Sequence, residues 1–331
     1  MQTVLKSLCA FLAVGAFAAL PLPTFAQYQF SLIDPPGSVL TIPYGMNDHG
    51  VITGFYYLPD QSSHGFVRSA DGTVTTPALP AGAIGSQLGS VNNAGIAVGA
   101  YLDVFGVGHG ATYNIAANAW TTLPDIAGTV ANLPTGITNG NFIVGAAVGG
   151  YSPTGLPAHN RGYFYNGSGY NFFDAPGADI NFAGTVPEDI NESGVVAGFV
   201  SLTGRGGNDT GFLRDSSGAY TFLDYPGADS TFIEGINNSG VVAGSYDISG
   251  VSHSFIWSAG AGFTNFDVPF GFNTELWGID NRGNLVGDYI DPQQGTIRGF
   301  VATAVPEPDS LALLFGIGTV GVGLFTLRRR R

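Results

Sequence analysis

The chain has 331 residues, only 11% of them charged, with 11 basic against 24 acidic residues and a formal net charge of −13. Globular domains usually carry roughly 25% charged residues, and the negative balance here repels nucleic acid and anionic lipid. Disorder goes with few aromatics and high charge, whereas 12% aromatics and 51 glycines describe a turn-rich all-β protein.

Residues 1–26 hold one lysine, Lys6, an apolar stretch from Leu8 to Leu20 and a small-residue exit at Thr24-Phe25-Ala26. That order predicts a secretory signal peptide cleaved before Gln27. Cys9 is the only cysteine, so the mature body has none and must be held by its core rather than by disulfides. Between Gln27 and Ala304 there is no lysine, and the six arginines are Arg68, Arg161, Arg205, Arg214, Arg282 and Arg298.

The body repeats one phrase: Gly235-Ile236-Asn237-Asn238-Ser239-Gly240-Val241-Val242-Ala243-Gly244. Related copies begin at Gly45, Ser90, Gly136, Asp189 and Gly278, and the closing glycines Gly54, Gly99, Gly145, Gly198, Gly244 and Gly287 lie 45, 46, 53, 46 and 43 residues apart. Such periods with short strands predict propeller blades. Each unit reads as four strands: one entering the phrase, one leaving it (Val241 to Tyr246), one with alternating aromatics (Ser254 to Trp257) and one ending at a proline (Phe263 to Val268). Asn-x-x-Gly between apolar runs marks a turn whose glycine adopts positive φ. In the third copy Asn141 stands there, the next most tolerant residue for that conformation.

At the N-terminus, Tyr28 to Pro35 matches the fourth-strand phrases Tyr220 to Pro226 and Phe263 to Pro269, while the last unit stops after its third strand, Arg298 to Val301. Pairing the spare strand with the incomplete unit removes two exposed edges. The expectation is a six-bladed β-propeller over residues 27–304, closed by the N-terminal strand, with an open β-solenoid as the alternative. The phrases Gly-Ile-Asn-x-x-Gly-x-x-x-Gly and His64-Gly65-Phe66 resemble the HAF-type extracellular repeat, a resemblance that implies secretion and repetition but no particular activity.

Residues 305–331 form a third region. Pro306-Glu307-Pro308 is followed by an apolar run from Leu311 to Leu327 and then by Arg328, Arg329, Arg330 and Arg331. Seventeen helical residues reach roughly 26 Å, just short of a hydrocarbon core of about 30 Å, and the arginines favour a cytoplasmic C-terminus. This order resembles the PEP-CTERM sorting signal of Gram-negative bacteria. The resemblance implies a membrane-anchored precursor, an exosortase-type membrane protease as partner, cleavage near Pro306-Glu307-Pro308, and a final place on the cell surface or in the extracellular matrix.

No nucleophile elbow, zinc motif, phosphate loop or calcium loop occurs in the chain, so no catalytic residue, metal or cofactor is assigned. His64, His109 and His253 open the third strand of three units, where other units place Arg161, Thr210 and Arg298. Spread around a ring, they cannot converge on one ion and read as structural hydrogen bonding. Asp34, Asp174, Asp224 and Asp267 recur before the proline that ends the fourth strand and read as turn caps. Tyr56, Tyr101, Tyr246 and Tyr289 follow the closing glycine by two residues. Repeated around a ring they either pack between blades or form a face that stacks on sugars. The expected function is a non-enzymatic surface or matrix protein associated with exopolysaccharide. The alternative is a polysaccharide-processing hydrolase or lyase with carboxylates converging on the channel.

Overall fold

The computed structural model describes residues 27–149, 159–179 and 183–305. Residues 1–26, read as a signal peptide, and Pro306, Glu307, Pro308 and Arg328 to Arg331 of the tail lie outside the described residues. So does the apolar run read as a membrane span; among the described residues no helix is long and apolar enough to cross a membrane.

Tyr28–Ala304 is one contact unit, and the regular elements among its described residues are all strands. After β1 (Gln27–Ile33) come six antiparallel units: β2–β5 (Leu40–Met46, Ile52–Tyr57, Ser63–Arg68, Val74–Thr75), β6–β9 (Ala83–Val91, Ile96–Asp103, Gly108–Asn114, Ala119–Thr122), β10–β13 (Thr129–Ile137, Ile143–Gly149, Arg161–Tyr165, Tyr170–Phe173), β14–β17 (Thr185–Ile190, Val196–Ser201, Asp209–Arg214, Tyr220–Leu223), β18–β21 (Ser230–Ile236, Val242–Ile248, Val251–Ser258, Gly262–Asn265) and β22–β24 (Phe272–Ile279, Leu285–Ile290, Ile297–Val305). The last unit has three strands of its own, and β1 pairs with β24 as its fourth. Single parallel bridges, Leu40↔Ile297 and Ala131↔Gly108, join neighbouring units. Fourth strands are shorter than expected: β21 ends at Asn265, because Asp267 leaves the ladder and turns its carboxylate onto the Ser254 amide.

First strands pack against one another in succession, and β22 packs against β2. An open solenoid would leave its end units apart, so this contact excludes that alternative. Six apolar clusters fill the seams between units. One joins Ile33, Ile52, Tyr56 and Phe66 of the chain's start to Val286 and Val301 of its end. The closing glycine of the repeat explains itself here: Gly244 lies opposite Phe255 across β19–β20, and a Cβ on it would stand 2.1 Å from the Phe232 carbonyl and 2.9 Å from the Phe255 ring. Phe66, Phe212, Phe255 and Phe300 occupy that opposite position and are fully buried, each contributing roughly 1.5–3 kcal/mol.

The repeated Asn-x-x-Gly turns form a second closure. Asn237 accepts the Ser239 and Val241 amides on Oδ1 and donates from Nδ2 to the Asp280 carbonyl of the next unit. Its neighbours complete a circle: the Asp48 amide donates to Asn93, Asn93 to Asn139, Asn139 to Glu192, Glu192 to Asn238, Asn238 to Asn281, and Asn281 back to Asp48, at 2.8–3.1 Å. Asn141 has φ of 61°, beside 78° at Gly50 and 73° at Gly240, as its place in the phrase requires.

Candidate functional site in the channel

Three residues before each turn asparagine, or the residue that replaces it, the first strand skips a pairing step. The irregularities fall between Pro43 and Gly45, Leu88 and Val91, Pro134 and Gly136, Pro187 and Asp189, Ile233 and Gly235, and Leu276 and Gly278. A β-bulge leaves one residue unpaired and re-aims its side chain. The bulge positions carry Tyr44, Gly89, Thr135, Glu188, Glu234 and Trp277, so what the units present there differs, with only glutamate occurring twice.

Tyr44 stacks on Trp277 with ring centroids 5.5 Å apart and donates its hydroxyl to Glu188, which comes from the unit three steps away around the ring. Trp277 donates Nε1 to Asp288 Oδ2 at 2.6 Å. Asp189 follows Glu188 and accepts the Ile236 amide at 3.1 Å and its neighbour Ile190 at 2.9 Å. Other units keep Gly45, Ser90, Gly136, Gly235 and Gly278 at the Asp189 position, because the first strands approach one another closely there; a Cβ on Gly136 would lie 2.8 Å from Asp189 Cα. Glu234 is 6% exposed, and its Oε2 has no hydrogen-bond partner among the described residues.

Burial shifts these carboxyls toward their acid form. Burial pushes Glu188 up to about 8 against the pull of the Tyr44 hydrogen bond, and pushes Asp189 up to about 7 against its backbone donors. Burial raises Glu234 well above the usual carboxylate range, with Glu188, Glu275 and Asp288 adding to the effect. Asp288 rises through burial and the nearby Glu275, and Glu275 itself through burial. The acid form that burial favours at Glu188 and Glu234 can donate as well as accept a hydrogen bond.

A line of cavities leads to this cluster from the end of the channel opposite the asparagine turns. The first, about 320 Å³, is lined by Tyr57, Ser63, Tyr101, Leu102 and Val130. It shares Gln87, Ala100 and Leu133 with a second of about 150 Å³, whose wall includes Tyr44, Thr135 and Glu188. A third of about 10 Å³ lies among Tyr44, Glu188, Asp189, Glu234 and Trp277. The fourth, about 70 Å³, is bounded by the asparagine turns. No arginine lines any of the four.

Of the four tyrosines read either as packing between units or as forming a ligand face, three pack. Tyr56, Tyr246 and Tyr289 are buried within the seams, the first two stacked on His64 and Tyr225 and the third edge-on to Phe270. Tyr101 alone lines a cavity, stacked on His109. The recurring histidines and aspartates, read separately from the sequence, meet in ion pairs: His109–Asp125 at 2.9 Å, Arg161–Asp174 at 3.0 Å, Arg205–Asp224 at 2.8 Å, His253–Asp267 at 2.9 Å, and Arg298 with Asp34. Pairing with a basic side chain of the third strand or the loop before it is the shared role of these aspartates, and Asp34 also accepts the Ser38 hydroxyl of its own turn. Asp125 holds the His109 imidazole above its usual range. Among the described residues no group of three or more His, Cys, Asp or Glu is arranged to hold a metal ion.

The acidic channel carries no sequence motif because its members come from several units and hold no fixed spacing. The signal available was the variable column directly before the most regular phrase.

No family model matches the chain, and no curated protein matches it. Solved structures do. TolB from Acinetobacter baumannii matches with a TM-score of 0.52 at 13% identity, covering 77% of this chain and 64% of that one. The luciferin-regenerating enzyme gives 0.52 at 10%, covering 84% and 96%. The SapL1 lectin in complex with alpha methyl fucoside gives 0.53 at 10%, covering 82% and 98%. At these identities the likeness shows the fold alone: all-β, of the β-propeller kind.

Proposed function

We propose that this protein is an exported, six-bladed β-propeller that binds extracellular polysaccharide through the funnel of cavities leading into its channel. The observation that carries the reading is the bulge ring, which points Tyr44, Glu188, Glu234 and Trp277 inward beneath cavities of about 320 and 150 Å³. Aromatic faces beside hydrogen-bonding amide and carboxyl groups are the chemistry that recognises sugar rings and hydroxyls. An anionic polysaccharide fits poorly, since the funnel has carboxyls and no arginine. The leader and the Pro306-Glu307-Pro308 tail with Arg328 to Arg331 support export, a membrane-anchored precursor, processing by an exosortase-type protease, and residence at the cell surface or in the matrix of a Gram-negative bacterium.

Incubating the purified protein with matrix polysaccharide from the producing bacterium tests the binding reading, with bound protein and new chain ends measured together. Saturable binding, weakened by Tyr101→Ala, supports it; no binding rejects it. Fractionation of cells with and without a Pro306-Glu307-Pro308 to alanine change tests the sorting reading, which predicts retention of the altered chain in the membrane.

A second reading, a polysaccharide hydrolase or lyase, is favoured by one feature: Glu188, pushed up to about 8 by burial, faces the 150 Å³ cavity with Tyr44 bonded to it. A carboxylic acid with its pKa near the working pH is suited to proton donation. New ends that scale with protein and vanish with Glu188→Gln would establish that reading over binding alone.

A further inference from the structure

The cavity at the foot of the funnel, about 10 Å³, is close to the room one water molecule needs. Its walls are of two kinds. Tyr44 and Trp277 present stacked rings, and Glu188, Asp189 and Glu234 present carboxyls from two units. Glu234 Oε2 is buried there without a partner, although buried polar atoms are nearly always hydrogen-bonded. No arginine lines this cavity or the three beside it. A group that satisfied the site would have the size of water, several N–H or O–H donors, a positive charge, and tolerance of aromatic neighbours. A sugar hydroxyl meets the first two conditions. An ammonium meets all four, with donors for Glu234 and Glu188 and a charge for the ring faces.

We propose that this cavity holds a primary ammonium group, and that the polysaccharide taken into the funnel contains hexosamine residues lacking their acetyl groups. The inference rests on the reading of the funnel as a saccharide site and specifies its ligand. The sugar ring occupies the 150 Å³ cavity, which shares Tyr44 and Glu188 with the foot cavity, and its amine reaches down between them. Charge balances by exchange: as the ammonium enters, a proton held on the Glu188–Glu234 pair leaves to solvent. The titratable groups that share this exchange are Tyr44 from β2, Glu188 and Asp189 from β14, Glu234 from β18, Glu275 from β22 and Asp288 from β23.

The test is titration calorimetry of the purified protein with three probes of equal length: a glucosamine oligomer, its fully N-acetylated form and a neutral glucan. Two buffers of different ionisation enthalpy, at about pH 7 and about 0.15 M salt, report proton release and suppress surface attraction. The amino oligomer is expected to bind at least about tenfold more tightly than the other two, to release protons, and to lose about tenfold on Glu234→Gln, a larger loss than the glucan suffers. Trp277→Phe, which keeps an aromatic wall, serves as the second variant should Glu234→Gln lower the melting temperature, and weakens the amino oligomer selectively. Equal affinity for all three probes, or indifference of the amino oligomer to both variants, overturns the ammonium site and leaves the saccharide reading standing. Binding of none of the three overturns both. A lysine-rich peptide that binds as tightly as the amino oligomer overturns the amino-sugar assignment.

Discussion

Two rings of six positions lie only three residues apart in the repeat, and they obey opposite rules. The turn ring is nearly uniform: Asn47, Asn92, Asn191 and Asn237 recur, with Thr138 and Asp280 as the exceptions. The bulge ring carries Tyr44, Gly89, Thr135, Glu188, Glu234 and Trp277, no more than two alike. Groups at the turn ring spend their hydrogen bonds on the adjacent unit, so every unit needs the same group. Side chains at the bulge ring meet at one axis, and six identical side chains there would compete for the same space. Sameness therefore marks the frame, and difference within sameness marks the site.

The frame should break hardest where backbone meets backbone. Gly244→Ala places a Cβ against the Phe232 carbonyl and the Phe255 ring, neither of which can withdraw without opening β18–β19 or emptying a seam. The expected cost is about 4 kcal/mol or more, seen as loss of a cooperative thermal transition. A stable, cooperative Gly244→Ala protein would mean that the seams are far looser than this packing describes.

Asn237→Ala comes next. It removes the acceptor for the Ser239 and Val241 amides and the donor to the Asp280 carbonyl, all at a buried position. A loss of about 3 kcal/mol by denaturant unfolding is expected, since orphaned buried groups cost about 1–3 kcal/mol each and the turn partly rehydrates. Glu192→Ala, in the outer circle of exposed contacts, should cost about 1 kcal/mol or less. Equal losses at the two positions would erase the distinction between the buried and the exposed circle.

The bulge ring should respond to pH rather than to truncation. Glu188 and Asp189 have folded-state values near 8 and 7, raised by burial above their ordinary carboxylate values. The folded state thus binds more protons than the unfolded chain above about pH 4, so stability from these groups is full below that point and drains away as pH rises through about 8. Asp48 and Asp291, held below their usual values, act oppositely and matter only as pH falls under about 4. Unfolding free energy is expected to fall by on the order of 3 kcal/mol between about pH 5 and about pH 9, and Glu188→Gln should flatten that slope. A pH-independent transition over this range would show that the channel carboxyls are solvated.

Much of this architecture could be read from residues alone. The six closing glycines, Asn141 in place of glycine, and the spare N-terminal strand each fixed a feature that the backbone then displays, because turn conformation and edge pairing are local or nearly local demands. The site could not be read the same way. Glu188 and Tyr44 stand 144 positions apart, and only ring closure brings them together. The two readings of the tyrosine column could not be told apart for a related reason: two residues past the closing glycine, alternation points the side chain into the seam, as at Tyr56 and Tyr246, unless the next unit leaves space, as at Tyr101.

Tyr101 gives the smallest and most discriminating contrast. It belongs to a repeated column, like the turn ring, yet it lines the 320 Å³ cavity, like the bulge ring. Its ring already has a structural partner in His109 at 5.1 Å, and its hydroxyl meets Thr122 at 3.0 Å, in a partly exposed setting. If its main role is to pack, Tyr101→Ala lowers stability by about 2 kcal/mol and leaves ligand affinity alone, as Tyr246→Ala should do from inside its seam. If it serves the funnel, the change costs about 1 kcal/mol or less in stability, because the cavity beside it already admits water, and weakens polysaccharide binding by about tenfold. Measuring unfolding and affinity on both tyrosine variants separates the cases, and the expected result is that only Tyr101 moves affinity more than stability.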